Sequence, residues 1–134
     1  MPAESTELIV MRQLASYLAL PMFVQDMEGN LVYFNEPAEP ILGRRFDETG
    51  ALSRQELWDL FRPVREDGTP FEFAQNPFVT VREKGEAVHQ VFRLCGMDGI
   101  ERLIEGSAIP LSTREGTIVG SFAVFWEIES GRRS

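Results

Sequence analysis

Between residues 5 and 20, apolar side chains recur at Leu8, Met11, Ala15 and Leu18, a spacing that places them along one side of a helix. Ser5 or Thr6 can cap its start, Glu7 falls in the first turn, and the helix is predicted to run to about Ala19, ahead of Pro21. Ile9, Val10, Leu14 and Tyr17 widen the apolar surface beyond what one seam needs. From residue 22 the pattern changes. Met22-Phe23-Val24 is an apolar run that leads to Asp26, Glu28-Gly29-Asn30 supplies turn chemistry, and Leu31 to Phe34 is a second β-prone run. Asn35 is a good helix N-cap, Pro37 sits near N2 where a missing N–H costs little, and Gly43 can stop the short helix.

The middle of the chain reads as broken helix. Arg44 to Gly50 is polar around Phe46. Ser53 with Glu56 three residues on is a capping-box pattern for a helix to Phe61, with Leu57, Leu60 and Phe61 on one face and Trp58 beside them. Pro63 ends it, and Arg65 to Pro70 is rich in turn residues. Asn76-Pro77 predicts another cap and N1 proline, for a helix carrying Phe78, Val79 and Val81 and ending near Gly85. The last third is β. Strands are predicted over 86–95, 100–111 and 117–128, joined by turns at Gly96-Met97-Asp98-Gly99 and 112–116. Both faces of the last strand are largely apolar, which predicts a central position in the sheet.

At 134 residues, with 43% hydrophobic and 25% charged positions, this is the composition of one globular domain. A formal charge of −8 argues against nucleic-acid and anionic-membrane binding and is otherwise read as favouring solubility. A single cysteine excludes an internal disulfide and a cysteine-based zinc site. The run from Leu18 to Val24 is too short to span a bilayer and has no basic segment before it, so a cytoplasmic protein is the expectation.

Chemistry-bearing residues are sparse. His89 is the only histidine and reads first as a strand residue at the rim or surface. Cys95 reads as a small apolar residue at a strand end. Glu101 and Glu105 share strand parity and read as a solvated face. Trp58, Phe61 and Trp126 read first as core, with pocket lining as the sharper alternative. No nucleophile–base–acid set stands out, so an enzyme is not expected, and a small pocket enzyme is a remote alternative.

Several motifs together resemble a PAS domain. The first is Phe23-Val24-Gln25-Asp26, Gly29, Val32-Tyr33-Phe34-Asn35 and Ile41-Leu42-Gly43. Then come Gly68-Thr69-Pro70, Asn76-Pro77-Phe78 and Gly85-Glu86, followed by Asp98-Gly99, Ser107-Ala108-Ile109-Pro110, Gly116 and Gly120, and Glu127-Ile128-Glu129. Their order fits the family from about residue 17 to 129. At the end, the Asp and Thr of the family's closing motif are replaced by Glu127 and Glu129, and no output domain follows them in this sequence.

The resemblance implies an α+β fold: a five-stranded antiparallel sheet in spatial order 2-1-5-4-3. Short helices from residues 36 to 85 would cover one face and enclose a pocket, and the N-terminal helix would cover the other face or a partner's sheet. It implies residues 1–20 as a helical cap, 21–129 as the PAS-like domain and 130–134 as a tail. It implies a signal-transduction module acting through protein–protein contact, as a homodimer or with another signalling protein or output domain. Leu8, Met11, Ala15 and Leu18 would form the dimer seam. The alternative it implies is a sensor whose pocket holds a small apolar molecule, haem or flavin. The pocket candidates are Trp58, Phe61, Phe78, Phe92, Ile104, Phe122 and Trp126. No cofactor is required by the sequence. His89 would be an unusually placed haem ligand, and the Asn-Cys-Arg motif of light-sensing flavin PAS domains is missing.

Overall fold

The computed structural model describes residues 5–71 and 77–130, with the side chains of 77, 78, 129 and 130 left aside. The expected cap at Asn76, the side chain of Phe78, the first four residues and the last four lie outside the described residues. Helix α1 spans Thr6–Tyr17, with the Ser5 side chain accepting from the Leu8 N–H. Strands β1 (Met22–Asp26) and β2 (Leu31–Phe34) form the first hairpin. A 3-10 turn at Glu36–Ala38 leads into α2 (Glu39–Leu42), which ends at Gly43 in the left-handed region with φ 88°. Next come α3 (Phe46–Thr49), α4 (Arg54–Phe61), a short β3 (Val64–Arg65) and α5 (Pro77–Lys84). The chain closes on β4 (Val88–Cys95), β5 (Glu101–Ser112) and β6 (Ile118–Ser130).

The sheet order is β2-β1-β6-β5-β4-β3. The five expected strands therefore stand in the expected order, with β6 central and every pairing antiparallel. A sixth, two-residue strand extends the outer edge, where Val64 and Arg65 pair with Arg93 and Phe92. The sequence around Val64 reads as a helix end and a turn, and two residues are too few to carry a period-two pattern.

Helices α2 to α5 cover one face of the sheet and α1 covers the other. The covered inner core joins Leu31, Phe34, Leu42, Phe61, Phe92, Ile104 and Phe125. A second cluster, of Leu8, Ala15, Met22 and Val24 with Met11, Leu18, Phe122 and Val124 packed against it, lies between α1 and the outer face. Strand alternation decides which side chain goes where. On β6, Ala123 and Phe125 face inward, so Phe122, Val124 and Trp126 face outward.

The expected capping box forms at the inner face, and the first turn adds a tie the sequence did not predict. Ser53 and Glu56 form the capping box of α4, with Ser53 N–H donating to Glu56 Oε1 at 2.9 Å and Ser53 Oγ accepting from Glu56 N–H at 3.1 Å. Asp26 accepts from the Glu28 and Asn30 backbones at 2.9 and 3.0 Å, and Asn30 Oδ1 in turn accepts from the Arg54 N–H at 2.9 Å. The β1–β2 turn thus holds the start of α4. Within α4 only Phe61 is buried; Leu60, expected on the same face, is exposed.

Candidate ligand-binding site

Between the inner face and its helical cover lies a cavity of about 360 Å³. That volume falls within the range of about 300–1,000 Å³ usual for small-molecule pockets. Its floor is Phe23 and Gln25 of β1 and Phe92 and Leu94 of β4; α4 contributes Leu57, Trp58 and Phe61, and α5 contributes Val79 and Arg82. Leu31, Leu42, Pro63 and Phe71 complete the apolar wall. Phe71 is held from outside by the Arg65 guanidinium, 5.6 Å from its ring centre. Phe125 backs the floor, with its ring 5.5 Å from that of Phe23.

The polar lining residues are Gln25, Arg54, Gln55 and Arg82. Gln25 is 1% exposed. Its Nε2 donates to the Gly29 carbonyl at 3.1 Å, which fixes the amide orientation, since a carbonyl only accepts. Its Oε1 is buried with no hydrogen-bond donor among the described residues. Arg82 packs its guanidinium over Gly29: a Cβ there would come within 2.8 Å of Nη1. Gly29 also has φ 88°, so only glycine suits both the turn and the arginine. Burial pushes the Arg82 pKa below its ordinary value, with neighbouring Arg54 adding to the shift and Glu83 and Asp26 opposing it.

The sequence-predicted pocket residues divide. Trp58, Phe61 and Phe92 line the cavity. Ile104 is fully buried in the inner core, behind the lining. Phe122 and Trp126 are placed on the opposite face, because they alternate with the inward Ala123 and Phe125. Phe122 packs against the α1 cluster, and Trp126 stands opposite Glu105 in the register. Gln25, Arg54 and Arg82 were not among the predicted residues. Gln25 carries a weak signal, a polar residue at an inward parity of an otherwise apolar strand; Arg54 and Arg82 carry none, since exposed helix positions commonly hold arginine.

The expected seam residues are also placed inward. Leu8 and Ala15 are buried, and Met11 and Leu18 pack in the same cluster, all on this chain's own sheet. Their 3–4 spacing records a core-facing stripe; the outward side of α1 is instead Ile9, Val10, Leu14 and Tyr17.

His89 lies on the outer face, with Nδ1 2.8 Å from Ser107 Oγ and Nε2 2.7 Å from Glu105 Oε2. It is across the sheet from the cavity, and no histidine, cysteine, methionine or tyrosine lines the cavity among the described residues. The site therefore does not fit an axially ligated haem. Cys95 is not a lining residue either, so the cavity does not fit a flavin that reacts with a cysteine. The lining also has no carboxylate, serine or histidine among the described residues, and no group of His, Cys, Asp and Glu there could hold a metal ion. No helix is long and apolar enough to cross a membrane among the described residues.

No family model matches the chain, and no curated protein sequence matches it. Solved structures do. The PAS domain of a Colwellia psychrerythraea protein matches over 90% of this chain and 96% of its own, at 18% identity and a TM-score of 0.65. The PAS domain of nitrogen regulation protein NR(II) from Vibrio parahaemolyticus matches over 89% and 98%, at 13% identity and a TM-score of 0.61. The light-state dimer of the fungal blue-light photoreceptor Vivid matches over 95% and 97%, at 13% identity and a TM-score of 0.62. At these identities the likeness shows the fold, and the fold is PAS-like.

Proposed function

From this PAS-like fold and its cavity, we propose that the chain, residues 21–129 above all, is a signal-transduction domain that senses a small, largely apolar molecule. The observation that carries the reading is the cavity itself: apolar walls from β1, α4, α5 and β4, with a few polar groups gathered among them. Such a domain signals by changing shape or stability when the pocket fills. A ligand that binds only the folded state stabilises it by mass action. Native mass spectrometry on the whole chain, purified without refolding, tests this. The expected result is added mass on each subunit, or a bare protein whose melting temperature rises with small apolar ligands. A bare protein that no such ligand stabilises overturns the reading.

A second reading, an interaction module that works as a homodimer, has its own support. Leu14 and Tyr17 on α1 are 46% and 86% exposed, and Trp126 on the neighbouring sheet face is 41% exposed. Apolar side chains left bare on a helix and an adjoining sheet mark a docking surface. One of the solved structures of the same fold is described as a dimer. The test replaces outward residues rather than the inward stripe. Val10→Glu with Leu14→Glu is expected to convert a dimer to a folded monomer in analytical ultracentrifugation. A dimer that survives both changes counts against this surface. The residue 1–20 segment would then serve as a cap on the sheet alone. Partners other than a second copy, such as a signalling protein or output domain, would use the same surface.

A further inference from the structure

The polar groups of the cavity are not scattered. Gln25 and Arg82 converge on one residue, Gly29: the Gln25 amide donates to its carbonyl, and the Arg82 guanidinium packs over its Cα. Arg54 joins the same lining. The sheet register separates this end from the aromatic floor. Gln25 pairs with Ser121, whereas Phe92 pairs with Ile104, which faces Glu127 further along the same strand.

Two deficits meet at that end. Gln25 Oε1 is buried and lacks a donor among the described residues, and a buried acceptor left empty costs more than a hydrogen bond returns. Arg82 is half-buried and makes no ion pair among the described residues, although burying a charge is costly unless it is paired. A carboxylate answers the second deficit, since it matches the guanidinium fork with two parallel hydrogen bonds. An O–H or N–H answers the first. Because both groups border Gly29, the donor must lie next to the carboxylate rather than at the far end of the ligand.

We infer that the cavity takes an amphipathic carboxylic acid with a hydrogen-bond donor beside its carboxylate, of the 2-hydroxy or N-acyl-amino acid class. Its apolar body lies among Leu57, Phe61, Phe71 and Phe92, its carboxylate at Arg82, and its donor on Gln25 Oε1. This rests on the ligand-binding reading above and adds the chemistry of the ligand's head.

Three probes of one chain length separate the parts: 2-hydroxyoctanoate, octanoate, which lacks the donor, and 1,2-octanediol, which lacks the charge. Calorimetric titration of the whole chain is expected to show the hydroxy acid binding about tenfold or more tightly than either of the others, as a charge-assisted pair should. Arg82→Met keeps the apolar stem and should erase the advantage over the diol; Arg82→Lys should restore part of it. Gln25→Leu should erase the advantage over octanoate and leave the advantage over the diol. Thermal unfolding of each variant confirms that it is folded. If the diol binds as tightly as the acid, or if the acid keeps its advantage in Arg82→Met, the inference is overturned and the cavity as a ligand site stands. If none of the three binds, the diol included, the ligand-binding reading falls and takes this inference with it.

Discussion

Asn35 and Gln25 are both buried amides, at 0% and 1% exposure, and the chain treats them in opposite ways. Asn35 sits where α1, β1 and the 3-10 turn meet. Its Oδ1 accepts from the Met22 N–H at 2.9 Å and the Ala38 N–H at 3.3 Å, and its Nδ2 donates to the Ala15 and Leu20 carbonyls at 2.9 and 2.8 Å. Every lone pair and proton of the amide has a partner. Among the described residues Gln25, on the cavity floor, has one partner and an empty acceptor. Buried polar groups are rarely left unsatisfied. The α1 junction is therefore built to be finished by the chain itself, whereas the cavity is built to be finished by something else. The α1 junction is fastened; the inner face is open at its polar end.

The Asp98–Arg102 pair belongs with the finished region. Arg102 is buried, makes two hydrogen bonds to Asp98 at 3.1 and 2.8 Å and donates to the Ile41 carbonyl at 2.9 Å. It ties the β4–β5 hairpin to the end of α2, where Gly43 leaves room for the Met97 and Asp98 backbone to pass close by. Its hydrogen bond is the main reason that the Asp98 carboxyl is held below the usual carboxylate range and that Arg102 is raised.

The sharpest break of the contrast is Asn35→Ala. Ala38 N–H and the Ala15 carbonyl keep backbone partners, but Met22 N–H and the Leu20 carbonyl lose the one the amide supplies. Met22 N–H is left buried without a partner, at roughly 1–3 kcal/mol. Leu20 is exposed, so water reaches its carbonyl, and the 3-10 turn loses its N-cap. The loss of stability is therefore expected to be about 3 kcal/mol by urea denaturation. Asp98→Ala comes next. It removes the nearer carboxylate from the buried Arg102 guanidinium, which keeps Glu127 at 3.8 Å and the Ile41 carbonyl at 2.9 Å, and is expected to cost about 2 kcal/mol at neutral pH. Because the folded pKa of Asp98 is depressed, its contribution is present above the usual carboxylate pKa of about 4 and is lost as pH falls through the lower folded value. The gap between wild type and Asp98→Ala should therefore narrow on acidification; a gap that stays constant in urea titrations across that range would remove Asp98 from the finished set.

The smallest effect has the opposite sign. In ligand-free protein, Gln25→Leu removes an empty acceptor and adds apolar surface to an apolar floor, which outweighs the lost hydrogen bond to the Gly29 carbonyl. Stability is expected to rise by about 1 kcal/mol, where the matching change at Asn35 lowers it. A loss at Gln25 comparable to that at Asn35 would show that the cavity is finished after all, and the contrast between the two amides would collapse.

Much of this architecture was legible in residue order. Ser53 with Glu56, Asn35 with Pro37, and Gly43 are local instructions. Each works through bonds reaching only three or four residues, so a linear reading recovers them. The alternation on β6 was legible too, as two sets of side chains. Which set faced the cavity was not. A strand apolar on both sides has no preferred face until α1 packs on one of them, and that choice sent Phe122 and Trp126 outward. The α1 stripe was legible as a stripe, but whether it faced the chain's own sheet or a partner was not. Leu8, Met11, Ala15 and Leu18 satisfy the spacing of a seam and of a core alike, and only the position of the sheet distinguishes them.

By itself, then, the sequence determined the local elements, their caps and turns, and through motif order the PAS-like arrangement of five strands. The tertiary structure decided everything that depends on residues far apart in the chain. It brought Gln25, Gly29, Arg54 and Arg82 to one end of one cavity, put His89 on the far side of the sheet, and left one amide satisfied and the other not. The physical reason is range. Caps and turns are set by bonds within a few residues, whereas a cavity and its unmet polar groups exist only once separate elements have closed around the same space.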